Sequence, residues 1–342
     1  MARTITDELV RQAHIMTEEL DRDCYNPFIY NDEVKQSYEK IYHWFDSELK
    51  VKRISEGDMG IVSDAYIMLA VALLKVATRE DIQSYLTVMH SKYKELCITS
   101  VDDEDSLKKC LKRLIVSGLL FKHHYSYMTE SGSLKHISLY TLSRGNATLM
   151  NAILEKNVKV MPYLQAKHLY SLIGLAASAH TAAETMRRSN CFYSMEEGTY
   201  RSKFIGGFSV AQELVLKDND GQITKIGFHP VFLGRDSSYQ TEADYNDFKI
   251  YLQNIIRNYI TLNMQSTSDN TYMILTVRDK KDLEEFIEVV QGSPIMNPVL
   301  SHVYLTGYGL ISGDYGTRFI QLYKRSEKEI ITYSSELEFV EI

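Results

Sequence analysis

At 342 residues, with 44% hydrophobic and 24% charged side chains, the chain is long enough for two domains and apolar enough to bury their cores. That composition excludes an unfolded chain, and no window reaches the roughly 18 uninterrupted apolar residues that a membrane helix needs. The net charge of −7 is unevenly spread: residues 106–146 hold seven basic side chains against Glu130, so this segment carries +6 and the remainder −13. A basic segment on an otherwise acidic chain suits local contact with a polyanion, with repulsion elsewhere limiting non-specific adhesion.

The beginning of the chain carries Asp7 and Glu8 and no apolar core, so neither a secretory signal nor a transit peptide is expected, and a cytoplasmic location is. Cys24, Cys97, Cys110 and Cys191 stand apart, with no Cys-x-x-Cys pair and no zinc-type spacing to histidine. They read as free thiols in a reducing compartment, and no metal or cofactor is expected.

Residues 1–60 read as a helical extension, in which Tyr38, Ile41, Tyr42, Phe45 and Leu49 form one apolar stripe. Residues 61–157 read as the next domain. Ser63 or Asp64 is expected to cap a helix over 65–77. Thr78 and Asp81 form an acidic variant of the capping box, opening a helix that buries Ile82, Tyr85, Leu86 and Met89. The acidic run 102–105 suits the positive end of a third helix over 103–117, closed by Gly118.

That third helix has two faces. At about 100° per residue, Leu107, Cys110, Leu111, Leu114 and Ile115 share one arc, and Lys108, Lys109, Lys112 and Arg113 share the opposite one. Two β-rich segments follow, 119–127 and 134–142, around the turn-rich stretch Thr129, Glu130, Ser131, Gly132 and Ser133. Helix, helix, basic helix and hairpin is the order of a winged helix-turn-helix, whose third helix enters the major groove while the wing lies on the backbone. The expected contacts to double-stranded DNA are therefore Ser106, Lys108, Lys109, Lys112 and Arg113 on the helix, with Lys122, His123, His124, Lys135 and His136 on the hairpin. One winged helix gives modest affinity, so a homodimer reading an inverted repeat is expected.

A polar junction at 156–163 leads into residues 158–342, which read as a mixed α/β domain for assembly or partner binding. A helix is expected over 164–188, with His180 on its apolar side as a core histidine. Strands follow over 204–216 and 223–233, joined by a turn at 217–221. A helix over 241–262 carries Phe248, Tyr251, Leu252, Ile255 and Tyr259. Then come a buried strand over 271–277, a helix opened by Asp279 that buries Leu283, Phe286, Ile287 and Val290, and strands over 299–306 and 318–323, in a sheet of four to six strands.

With both halves in view, the chain resembles the replication-relaxation family of winged-helix proteins from plasmids and integrative conjugative elements. The resemblance runs over about residues 65–310. It rests on the close of the hairpin at Leu139, Tyr140, Thr141, Leu142, Ser143, Arg144 and Gly145, and on the histidine-bearing segment 175–180. It rests also on segment 226–236, which leads into Asp247, Phe248, Lys249, Ile250 and Tyr251. It implies a DNA-binding accessory protein or transcriptional regulator of a bacterial mobile element, acting in plasmid replication, mobilisation or gene control, with other replication or conjugation proteins as partners. It further implies an α+β fold whose second half is similar to a degenerate restriction-endonuclease-like domain. The chain departs from that pattern: His229 and Val231 stand where a Glu-x-Asp pair is expected, and Gly206 and Gly207 where an Asp belongs.

Catalytic constellations are weak. Glu213 is followed by Leu214 and Val215 rather than by a lysine two positions on, and Asp218 and Asp220 belong to a turn. His123 and His124 are adjacent, so on a strand they point to opposite faces and cannot form a two-histidine metal pair there. No phosphate loop or nucleophile elbow is present. Two alternatives stay open beside a non-enzymatic DNA-binding protein: a metal-dependent nuclease with its site in the second domain, and a winged helix that contacts protein instead of DNA.

Overall fold

The computed structural model describes residues 59–92, 104–116, 119–128, 134–142, 169–189, 192–196, 199–202, 206–231, 242–266, 270–277, 286, 290, 293–296, 298–307, 319–326 and 329–335. They form an α+β protein in two compact units, Met1–Ala166 and Lys167–Ile342. The expected stripe in residues 1–60, the cap at Gly118, the junction at 156–163 and most of the helix opened by Asp279 lie outside the described residues. From that last helix Phe286 and Val290 are described, and both are fully buried.

The first unit is built on α1 (Met59–Leu74), a helix apolar nearly all round and therefore buried nearly all round: Ile67, Met68, Ala70, Val71, Ala72 and Leu74 are all in the core. It begins earlier than the sequence predicts. Asp64 consequently sits in its second turn and is no N-cap; Arg113 satisfies the carboxylate instead. The helix ends at Leu74 because Lys75 turns into the left-handed region at φ 67°, a conformation that costs a non-glycine residue about 1–2 kcal/mol. This reversal sets Ala77 beside the hairpin.

Thr78 and Asp81 form the predicted capping box reciprocally. The Asp81 N–H donates to Thr78 Oγ1 at 3.1 Å and the Thr78 N–H donates to Asp81 Oδ2 at 2.9 Å, opening α2 (Arg79–Lys92). Helix α3 (Glu104–Val116) follows, then strands β1 (Leu120–Met128) and β2 (Leu134–Leu142), antiparallel over their full length from Leu120–Leu142 to Met128–Leu134. Ala77 adds a one-residue third strand, exchanging two backbone hydrogen bonds with Tyr140 at 3.1 and 2.8 Å.

In the second unit, α4 (Leu169–Arg188) precedes β3 (Phe192–Glu196), β4 (Thr199–Ser202), β5 (Gly206–Ser209), β6 (Gln212–Lys217) and β7 (Ile223–Val231). Helix α5 (Glu242–Ser266) crosses to β8 (Asn270–Val277). A 3-10 turn at Leu300–His302 enters β9 (Val303–Gly307), and β10 (Phe319–Ser326) and β11 (Glu329–Ser335) follow. The main sheet has seven strands, ordered β11-β10-β9-β8-β7-β6-β3, with β7, β8 and β9 parallel and the others antiparallel.

Seven strands exceed the four to six expected. The segment 204–216 splits, because β5 pairs with β4 in a separate ribbon while β6 joins the main sheet. Strands β3, β4 and β11 have no counterpart in the sequence reading. The hairpin turn between β6 and β7 is as predicted: Gly221 takes φ 86°, and Asp218 Oδ1 accepts the Gln222 N–H at 2.7 Å.

Both faces of the sheet are covered. Gln212 pairs with Phe228, so its side chain lies on the face opposite that of Gly227. Gln212 Oε1 accepts a 2.7 Å bond from Ser178 of α4, whereas a Cβ at Gly227 would lie 2.7 Å from the Tyr259 ring of α5. Helices α4 and α5 therefore pack on opposite faces. The alanines of α4 (Ala176, Ala177, Ala179, Ala182, Ala183) permit close approach on one side. Leu252, Ile255, Ile256, Tyr259 and Ile260 of α5 pack on Met273, Leu275, Val303 and Leu305 on the other. Tyr251, expected in that stripe, is exposed because at about 100° per residue it falls roughly 40° beyond Ile255, the edge of the buried arc.

Candidate nucleic-acid interface

The basic helix α3 folds as its two arcs require. Leu107, Leu111 and Leu114 are buried, each contributing about 1.5–3 kcal/mol by leaving water. Cys110 and Ile115 are half-buried at the edges of that face. Lys108, Lys109 and Lys112 are exposed on the other side. Leu119 N–H closes the helix with a 2.9 Å bond to the Leu114 carbonyl, which leads directly into β1.

Arg113 belongs to the exposed arc by spacing but is tied down by chemistry. Its Nε donates to Asp64 Oδ2 at 2.8 Å and its Nη2 to Asp64 Oδ1 at 2.6 Å, a bidentate fork that fastens α3 to α1. Asp64 is only 12% exposed in its side chain, against 49% for Arg113. Burial lifts the Asp64 carboxyl above its ordinary range, and the bonds from Arg113 offset this only in part. The same bonds hold the guanidinium more firmly protonated. Cys110 Sγ lies 3.4 Å from Arg113 Nη2; burial, reinforced by the Asp64 charge, pushes its thiol up.

The remaining predicted contacts divide by element. Ser106 is half-buried in the first turn of α3, and Lys108 Nζ lies 3.7 Å from Asp105 Oδ1 in an exposed i,i+3 pair of little energetic weight. Among the described residues, Lys109 and Lys112 carry no such pairing. On β1, Lys122 and His123 are half-buried, and His123 Nε2 lies 3.0 Å from Thr141 Oγ1 of β2. His124 occupies the register position opposite Ser138, His136 that opposite Ser126 and Lys135 that opposite Tyr127; the side chains of these three lie outside the described residues.

The fold thus gathers Lys108, Lys109 and Lys112 on one helical face and runs the hairpin on from the end of the same helix. The sequence pattern missed the role of Arg113. The signal for it was a lone acid, Asp64, in an otherwise apolar helix: a carboxylate there needs a cation from a neighbouring element.

In the second unit, Glu213 is 2% exposed on β6, opposite Gly227 on β7 and Glu196 on β3. Asp218 serves the turn and Asp220 is exposed. His180 is buried on α4. Among the described residues, no group of three or more His, Cys, Asp or Glu side chains is placed to hold a metal, and no helix is long and apolar enough to cross a membrane. No protein-family model, curated protein or solved structure matches the chain.

Proposed function

We propose that the first unit is a winged helix that binds double-stranded DNA, with α3 in the major groove and the β1–β2 hairpin against the adjacent backbone. The observation that carries this reading is the face of Lys108, Lys109 and Lys112, exposed on a helix whose leucines are buried. A major groove admits such a helix, and its walls are phosphates. The bridge from Ala77 to Tyr140 supports the winged-helix assignment, because it adds a short strand between the first two helices to the hairpin.

In the second unit, the order α4, β3, β6, β7, α5, β8 pairs antiparallel strands with a parallel crossover. This is compatible with a degenerate restriction-endonuclease-like core. In this reading that unit serves assembly or partner docking, and no catalysis is asked of the chain. The sequence resemblance to replication-relaxation proteins is the basis for assigning the DNA binding to a bacterial mobile element, as an accessory factor in replication or mobilisation or as a regulator.

The test is fluorescence anisotropy of a labelled duplex across a salt series. The Lys108→Ala, Lys109→Ala, Lys112→Ala triple variant should bind more weakly and flatten the salt dependence by roughly 0.9 in slope per lost phosphate contact. No binding by the unaltered chain at low salt would overturn the reading in favour of a protein-contact module.

A further inference from the structure

We infer that the α3 interface recognises duplex DNA by its backbone and tolerates nearly any sequence, rather than reading an operator. This rests on the DNA-binding reading above and specifies its substrate class. Strong discrimination between bases comes mostly from rigid planar forks, Arg onto guanine and Asn or Gln onto adenine, with Lys a more flexible reader of guanine. From Glu104 to Leu142, across the helix and the hairpin, the chain has one arginine and neither asparagine nor glutamine.

That arginine is Arg113, and its Nε and Nη2 are bonded to Asp64, so that edge of the guanidinium cannot fork onto a base. The exposed cations left on α3 are lysines, which meet phosphate as flexible point charges and lack the rigid planar fork. Lys108 is further drawn towards Asp105. The sequence between β1 and β2, residues 129–133, contains no arginine either, so the wing has none to insert into a narrow minor groove. The interface therefore supplies charge and shape, and very little base code.

Arg113 is accordingly a positioning residue. It sets the angle of α3 against α1 and leaves the DNA to the lysines.

The experiment is selection by the full-length protein from a library of short duplexes with a randomised centre, followed by measurement of the best selected duplex against a shuffled one. The affinities should agree within about tenfold, whereas sequence-specific proteins separate the two by about 10³ or more. A selected motif with that larger preference would overturn the inference while leaving DNA binding intact. Failure to retain any duplex would remove the DNA-binding reading and this inference with it. As a second arm, the double variant Asp64→Asn, Arg113→Gln, which removes the charge without stranding its buried partner, should leave duplex affinity at moderate salt within about twofold and its salt slope unchanged, while Lys112→Ala lowers the slope by roughly 0.9. A loss of about 0.9 in slope in that double variant, in protein shown to be folded by circular dichroism, would make Arg113 a DNA contact and overturn its positioning role.

Discussion

Helix α3 of the first unit buries Leu107, Leu111 and Leu114 and leaves Lys109 and Lys112 in solvent, whereas strand β6 of the second unit buries even Gln212 and Glu213. The contrast comes from layer geometry. A helix packed on one side keeps an outer face that its fold does not use. A sheet covered on both faces by α4 and α5 leaves no such surface along its central strands, so polar side chains there must be accommodated internally, as Ser178 and Gln212 are. Charge in excess of what the fold requires collects on α3, and the functional reading follows it there.

The sharpest way to break this comparison uses the two faces of α3 itself. Leu114→Ala should cost about 2–5 kcal/mol in denaturant unfolding, because a fully packed leucine leaves a cavity. Lys112→Ala, two positions earlier, should move stability by no more than about 0.5 kcal/mol. Similar losses from both would erase the distinction between an anchoring and a presenting face.

The matching test in the second unit is Gly227→Ala. The added methyl would sit 2.7 Å from Cε1 and Cζ of the fully buried Tyr259, so α5 must shift away from β7, at a cost of about 1–3 kcal/mol. Tyr259→Leu in the same protein should recover part of that loss by making room. A neutral Gly227→Ala would contradict the tight seat of α5 on the sheet.

The smallest expected effect is pH-dependent. Burial raises the Glu184 carboxyl, but bonds from Arg187, with the charges of Arg187, His180 and Arg188, outweigh burial and hold it below its ordinary range. A carboxylate lowered in the folded state adds stability above its unfolded value, and loses it as pH falls through the folded one. Glu184→Gln should therefore flatten the acid limb of the stability profile. The change should stay below about 1 kcal/mol, because Arg187 is half exposed and solvent screens the pair.

Much of this was legible in the sequence because periodicity reports which side of an element meets a core. The two arcs of α3, the Thr78–Asp81 box, the β1–β2 hairpin, the Gly221 turn and the buried strand β8 all follow from local pattern. What local pattern leaves undetermined is pairing at a distance. Asp64 looks like a cap until a residue 49 positions away claims its carboxylate. The segment 204–216 looks like one strand until its two parts find different partners. The same holds for Arg113: spacing gives its arc, while the fork to Asp64 is a pairing at a distance that spacing does not carry.

The most direct measurement is lysine reactivity by mass spectrometry, with an amine-acylating reagent applied to the full chain alone and with saturating duplex. Lys108, Lys109 and Lys112 should become protected together when duplex is bound, while the exposed Lys217 in the β6–β7 hairpin of the second unit keeps its reactivity. Unchanged acylation of those three lysines on a chain fully occupied by duplex would contradict the account.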